Sequence, residues 1–274
     1  MAWPFRLTLL VLCTFALCRT PAESAELRPE TIAAFDRYVS AAEARMAAER
    51  ESASRFLWLS TQPEPVRQNG FERLRRGDIV IERLTATDHG RAIEIPGGLV
   101  HHWVGLAFLP GVSLERTLAL LQDYDRHASI YAPRITRSTL RAHTGDVFRF
   151  HLRFMMQKGI SVVVDTENTA RFVRFDDDRA ASSIVANRIA EIDNPGTSAE
   201  REKPVGADNG YLWRLNTYWR FLHRDGGTYI QCESISLSRG IPTGLAWLIG
   251  RFVTSLPRES LEFTLETTRR ALAS

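Results

Sequence analysis

The stretch Tyr211-Leu-Trp-Arg-Leu-Asn-Thr-Tyr-Trp-Arg-Phe221 is rich in aromatic residues, a composition typical of a β-strand. Asp225-Gly226-Gly227 follows it, and aspartate and glycine tolerate the positive φ angles that a tight hairpin turn requires. Residues Tyr229 to Leu237 return as a second strand, and a loop with proline and glycine then leads into a long amphipathic helix. This order predicts a curved antiparallel sheet that is closed by a C-terminal helix.

A two-residue turn at Asp225-Gly226 fixes how the two strands pair. The predicted cross-strand pairs are Leu222 with Tyr229, Arg220 with Gln231, and Tyr218 with Glu233. One face of the hairpin then carries a polar set, which consists of Arg214, Asn216, Tyr218 and Glu233. If this face is interior, the set must be paired, because a lone buried charge is costly, and it would orient a ligand in an apolar pocket. If the face is exterior, the same residues form a solvated surface.

The composition fits one medium domain with an appendage. The chain has 274 residues, of which 44% are hydrophobic, as is ordinary for a globular protein. The formal net charge is +3 and charges of both signs are interspersed, so there is no long basic stripe of the kind that binds nucleic acid. We therefore expect no nucleic-acid partner.

The N-terminus has the layout of a secretory signal peptide. Arg6 provides a positive start, Leu7 to Leu17 is a short apolar run, and small residues follow. The run is shorter than the roughly 20 residues of a spanning helix, although an uncleaved membrane anchor remains the alternative. We expect residues 1–25 to be removed and the protein to be secreted or periplasmic. Cys232 is then the one remaining cysteine, which we interpret as an apolar core residue.

Residues 26–97 are predicted to form two segments ahead of the main domain. Residues 26–62 form a helical segment, because apolar residues recur at helical spacing; they are Ile32, Phe35, Val39, Ala42 and Met46. Charged residues such as Arg45 and Glu49 are placed on its solvated side. Pro63 and Pro65 mark a boundary. Residues 63–97 are interpreted as a β-hairpin extension, with strands at Asp78–Glu82 and Ala92–Ile95.

Residues 98–274 are predicted to be one α+β domain. Leu99 to Leu109 is a strand, Ser113 caps a helix, several antiparallel strands follow, and the last helix starts near Pro257. Within Val147 to Met156, one face carries large apolar side chains, which are Phe148, Phe150, Leu152, Phe154 and Met156. This face lines a ligand cavity or is plain core, since the two have the same composition.

The main domain resembles the START/Bet v 1-like superfamily, also called polyketide cyclase-like, SRPBCC or helix-grip proteins. Trp103–Pro110, Ser113–Tyr131 and Glu233–Arg239 carry the resemblance, which covers about residues 98–272. It implies a curved antiparallel sheet wrapped around a long C-terminal helix, with an elongated apolar cavity between them. The N-terminal helix lies outside the resemblance. Members bind lipids, sterols, polyketides or other hydrophobic molecules, and a minority are enzymes.

The function predicted from the sequence is that of an exported binding protein for a hydrophobic small molecule or lipid. The predicted ligand-binding residues are Phe148, Phe150, Leu152, Phe154, Arg214, Asn216, Tyr218 and Glu233. One alternative is a cyclase- or hydrolase-like enzyme that uses Glu233 with Tyr218 or Arg214. Another is a structural or interaction module without a ligand.

We predict no catalytic residues, metal or cofactor. The side chains of His101 and His102 point to opposite faces of one strand, and Asp176-Asp-Asp178 lacks the spaced ligands of a calcium loop. The apolar segment Leu245 to Val253 is interpreted as a lid, a transient membrane contact or a buried lead into the last helix.

Overall fold

A computed structural model describes residues 25–158, 160–205, 207–240 and 246–273. Its main element is a large antiparallel sheet, whose eight principal strands we number along the chain. They are β1 (Val80–Arg83), β2 (Gly98–Pro110), β3 (Ile135–Thr144), β4 (Val147–Lys158), β5 (Ile160–Arg174), β6 (Arg179–Asp193), β7 (Arg214–Arg224) and β8 (Gly227–Arg239). Across the sheet the order is β1-β2-β8-β7-β6-β5-β4-β3.

Within the described residues, five helices and three short strand pairings accompany this sheet. The helices are α1 (Pro29–Arg50), α2 (Glu64–Arg75), α3 (Leu114–Gln122), α4 (His127–Ile130) and α5 (Ala246–Ala273), with 3-10 turns at Ala53–Arg55, Trp58–Thr61 and Tyr124–Arg126. The short pairings are Arg201–Glu202 with β6, Ala25–Glu26 with Ala207–Asp208, and Thr87–Asp88 with Arg91–Ala92. None of the described helices is long and apolar enough to cross a membrane.

Different parts of the chain pack on the two faces of the sheet. We call the face that packs on α3, α4 and α5 the inner face, where Ala107, Trp219 and Ile230 join Leu261 and Leu265 in one buried cluster. The opposite face, here called the outer face, packs on α1 and α2 through two other buried clusters. The N-terminal helices are therefore an integral layer of the fold, rather than a stalk beside it.

Gly105 is where α5 comes closest to the sheet. A Cβ atom added there would lie 2.6 Å from Cδ1 of Leu265 and 3.1 Å from Leu261. Because interiors are close-packed, any larger side chain at this position would have to displace the helix or its leucines. Because glycine has no side chain, Leu261 and Leu265 of α5 pack directly on β2 at this position.

The predicted α+β helix-grip fold with an extra N-terminal helix is confirmed. A first strand, a helix capped by Ser113, antiparallel strands and a C-terminal helix follow one another in the order that the resemblance implies. The Ser113 hydroxyl accepts from the backbone N–H of Arg116 at 3.2 Å. The hairpin register is confirmed as well, with Tyr218 opposite Glu233 and positive φ angles at Asp225 and Gly226.

Two expectations about element boundaries were wrong. Asp78–Glu82 does not pair with Ala92–Ile95, since Val80–Arg83 adds to β2 and leaves a much shorter hairpin behind it. Pro63 precedes α2 and Pro65 lies in its first turn, where proline is favoured, so the segment predicted as a β-hairpin extension also contains a helix. The last helix begins at Ala246, so that Pro257 lies inside it. The predicted signal peptide lies outside the described residues apart from Ala25, as does Leu245.

Candidate functional site

The predicted apolar residues of β4 lie on the inner face. Phe148, Phe150 and Leu152 are buried in the cluster that includes α5, and the ring of Phe150 stacks on Tyr124 at 3.7 Å between centroids. Phe154 is only half-buried and joins this cluster to a second one around Val164. Three of the four residues are thus packed as core, while Phe154 lies beside accessible surface.

A row of half-buried side chains crosses the middle of the inner face. Cross-strand pairing places its members side by side on four adjacent strands; they are Trp103 on β2, Ser234 on β8, Thr217 on β7 and Ile184 on β6. The next row, two residues along each strand, is fully buried, with Gly105 under α5 and Trp219 in the core. Solvent therefore reaches the centre of an otherwise buried face. We call these four residues the central row.

The predicted polar residues lie on the outer face, away from the central row. Tyr218 donates to the Glu43 carboxylate of α1 at 2.8 Å and accepts from the side-chain amide of Asn216 at 3.1 Å. Arg214 donates to the backbone carbonyl of Trp213. The eight predicted ligand residues therefore do not line one cavity, because their polar and apolar halves are on opposite faces of the sheet. Whether any of them binds a ligand stays a prediction.

Glu233 is the centre of a buried ionic network under α1, and its side chain has no exposed surface. It accepts from His102 Nε2 at 2.7 Å and forms a close ion pair with Arg45. Arg45 also binds Glu49 at 2.6 Å, and Glu49 lies 2.7 Å from Arg220. Two arginines and two glutamates thus balance one another between α1 and the sheet.

His102 links this network to the loop that precedes β2. The carboxylate of Glu233 only accepts hydrogen bonds, so Nε2 of His102 carries the hydrogen. Nδ1 lies 3.0 Å from the Tyr38 hydroxyl, whose oxygen accepts from the backbone N–H of Ala86 at 2.9 Å. This chain of hydrogen bonds fixes the orientation of the His102 ring and connects α1 to β2 and β8.

The electrostatics of the network favour an ionised Glu233. Burial by itself raises the pKa of this carboxyl group, but the hydrogen bond from His102 and the charges of Arg45 and Arg220 outweigh it, so the pKa is lowered from 4.5. For Arg45, burial lowers the pKa, while Glu233 and Glu49 raise it, with an upward net direction. For Arg220, burial dominates and the pKa is lowered.

We expect part of the folding stability to disappear in acid. Because the pKa of Glu233 is lower in the folded state than the usual 4.5, its contribution to the unfolding free energy is fully present above about pH 4.5 and is lost as the pH falls through the folded-state pKa. Urea unfolding from about pH 6 down to about pH 3 measures this loss. The variant Glu233→Gln should show a shallower slope below about pH 4.5; equal slopes would contradict the assignment.

Sequence reasoning assigned only Glu233 of this network to a site. Arg45 and Glu49 were placed on the solvated side of α1, whereas Glu49 is buried and Arg45 reaches Glu233. His102, Arg220 and Gln231 were not assigned to any site. A usable signal exists in the strands, since these polar residues alternate with the period of a β-strand on a face that otherwise carries apolar side chains.

The other candidate groups have surroundings that fit a structural role. Cys232 is buried in the inner-face cluster and burial raises the pKa of its thiol, which agrees with a core role. Asp176-Asp-Asp178 is an exposed turn in which Arg179 pairs with Asp176 at 2.7 Å. Within the part of the chain that is described, no group of three His, Cys, Asp or Glu residues is arranged to hold a metal ion.

Two surface depressions involve the N-terminal helices. One, of about 390 Å³, lies between α2 and the edge strand β1 and is lined by residues that include Trp58, Val66 and Val80. The other, of about 570 Å³, lies along α1 beside Ala33 and Asp36. Neither includes a residue of the central row.

Comparisons with known proteins reach the level of architecture. No protein-family model and no curated protein matches this chain. A STAR-related lipid transfer protein fragment from Xanthomonas axonopodis overlaps 70% of this chain and 99% of its own, with 15% identity and a TM-score of 0.42. Human STARD10 overlaps 76% and 80%, with 8% identity and a TM-score of 0.41.

The Zhui aromatase/cyclase from Streptomyces sp. R1128 is a further similar structure. It overlaps 64% of this chain and 94% of its own, with 10% identity and a TM-score of 0.38. At such identities and TM-scores, the likeness is one of general architecture.

Proposed function

We propose that this chain is an exported protein that binds a hydrophobic small molecule or a lipid against the inner face of its sheet. The central row carries the proposal, because it leaves apolar surface accessible in the middle of a buried face. Trp103 and Ile184 supply the apolar contact. Each 100 Å² of apolar ligand surface removed from water contributes about 2.5 kcal/mol to binding. Export is supported by the signal-peptide-like sequence at the N-terminus.

The enzyme that was predicted as an alternative would need titratable groups on this same surface. Glu233 and Tyr218 lie across the sheet from Thr217 and are engaged by α1. Glu233 and Tyr218, the residues that the sequence suggested for catalysis, are therefore not available to a ligand on the central row. Binding without catalysis is the simpler function for the groups that are present there.

Filling the central row should weaken binding about tenfold or more. Thr217→Trp places a bulky ring on the accessible surface, and the loss of roughly 60 Å² of apolar contact alone costs about 1.5 kcal/mol, or about tenfold in affinity. Native mass spectrometry after gentle purification, with lipid extraction, measures the bound fraction. The same spectrum shows whether about the first 25 residues have been removed, as export requires.

Val185→Trp is the matched control for this substitution. Val185 is 39% exposed and neighbours the central row in sequence, but its side chain is on the outer face. This variant should keep the bound ligand. Wild-type protein that is reproducibly empty, or equal occupancy in both variants, would contradict the proposal and favour a structural module.

A further inference from the structure

The central row continues onto the edge strand, and this extension makes it polar at one end. Arg83 on β1 is the cross-strand neighbour of Trp103. The extended row therefore begins with a cation, continues with an indole and two hydroxyl groups, and ends with the aliphatic side chain of Ile184. Next to Ile184 in this row is Ala170, which is fully buried, and Leu215, two residues from Thr217 along β7, adds half-buried apolar surface beside this end. A ligand that matches this row has one polar end and one apolar end.

Arg83 is the charged group at the polar end. Arg83 is exposed. Among the described residues, no acidic side chain forms an ion pair with it. Glu82, the nearest carboxylate in sequence, has the opposite facing on β1 and lines the depression beside α2. The positive charge of Arg83 is therefore available to a partner on the inner face.

Uncharged hydrogen-bonding groups lie next to this cation. His101 Nε2 is 3.0 Å from the hydroxyl of Ser238, and both residues are 5% exposed. Ser234 and Ser236 present further hydroxyls on the same face, at alternate positions of β8. Burial first, and the charge of Arg83 second, lower the pKa of His101 to about 4, so the ring is uncharged at neutral pH.

We infer that the ligand is a single-chain amphiphile with a carboxylate head, which lies at Arg83 beside the His101–Ser238 pair. This inference rests on the proposed function and adds the chemistry and direction of the ligand. The hydrocarbon chain follows the central row from Trp103 and ends at Ile184. Four inter-strand spacings of about 4.8 Å span roughly 19 Å, which is close to the length of an extended hexadecanoate chain.

The test compares two probes of equal chain length, hexadecanoate and 1-hexadecanol, by tryptophan fluorescence titration of the full chain at neutral pH. The wild-type protein should bind hexadecanoate more tightly. Arg83→Gln should weaken hexadecanoate about three- to tenfold, as is usual for a partly solvated charge-assisted contact, and leave 1-hexadecanol unchanged. Arg149→Gln, at an exposed strand position on the outer face, is the matched control and should change neither.

The outcomes separate this inference from the proposed function. If Thr217→Trp blocks both probes but Arg83→Gln behaves like Arg149→Gln, or the alcohol binds as tightly as the acid, the carboxylate assignment is overturned and binding on the central row stands. If neither probe binds, or Thr217→Trp blocks neither, both are overturned. Selective weakening of hexadecanoate by Arg83→Gln supports the inference.

Discussion

Replacing Glu233 with alanine is expected to lower the free energy of unfolding by about 3–5 kcal/mol, because it leaves Arg45 and Arg220 to share the single carboxylate of Glu49. Arg45 loses a close ion pair, His102 loses its acceptor, and Arg220, which is 1% exposed, loses a nearby negative charge. Arginine remains protonated at any accessible pH, so the cost cannot be relieved by titration. Urea unfolding monitored by tryptophan fluorescence measures the change.

Glu202→Ala is the matched control for this loss. Glu202 also pairs with an arginine, Arg188, but both side chains are more than two-fifths exposed. Surface pairs of this kind contribute about 0–1 kcal/mol. If the two alanine variants unfold at the same urea concentration, the network under α1 does not stabilise the fold in the way its geometry indicates.

Removing residues 25–62 is expected to prevent formation of a stable native domain. The deletion uncovers the outer-face clusters against which Phe35, Tyr38 and Met46 are buried. At about 1.5–3 kcal/mol for each large apolar side chain, their loss approaches the roughly 5–15 kcal/mol of net stability of a whole domain. We expect a loss of the cooperative thermal transition and binding of a hydrophobic dye such as ANS.

A milder variant keeps this prediction measurable if the truncated chain aggregates. Met46→Ala leaves α1 in place but removes a fully buried side chain, and should cost about 2–5 kcal/mol. A truncated protein that unfolds at the wild-type temperature, or a Met46→Ala variant without loss of stability, would show that residues 25–62 are dispensable for the domain.

The last hairpin was predictable because its information is local. Asp225 and Gly226 specify the turn, the turn specifies the register, and the register correctly places Tyr218 opposite Glu233. The order of strand, capped helix, strands and final helix follows for the same reason. Each of these features depends on residues that are neighbours in sequence.

The facing of the hairpin was not predictable, because it depends on contacts that are distant in sequence. Alternation shows that Arg220 and Glu233 share a face, but the partner of that face is α1, more than 150 residues earlier in the chain. The same periodicity cannot relate Phe148 to Glu233, since their relative facing depends on the strand order and on the register shift at Glu167/Asn168. The two halves of the predicted site were therefore joined although the sheet separates them.

Coverage of the outer face has a consequence for function. With α1 and α2 packed on the outer face of β1, β2, β7 and β8, a ligand that uses these strands has to use the side of α5. In our proposal, the polar groups that orient it are those next to the central row, such as His101 and Ser238. A sequence pattern of alternating serines along β8 was available as a signal for them, but serine is also common in exposed strands.

Photolabelling tests binding at the central row most directly. Purified protein is incubated with a diazirine-bearing hexadecanoic acid, irradiated, digested and mapped by mass spectrometry, with unlabelled hexadecanoate as competitor. We predict saturable labelling of peptides that contain Trp103, Thr217 and Ile184. Labelling confined to the depression lined by Trp58 and Val66, or labelling that the competitor does not reduce, would contradict binding on the inner face.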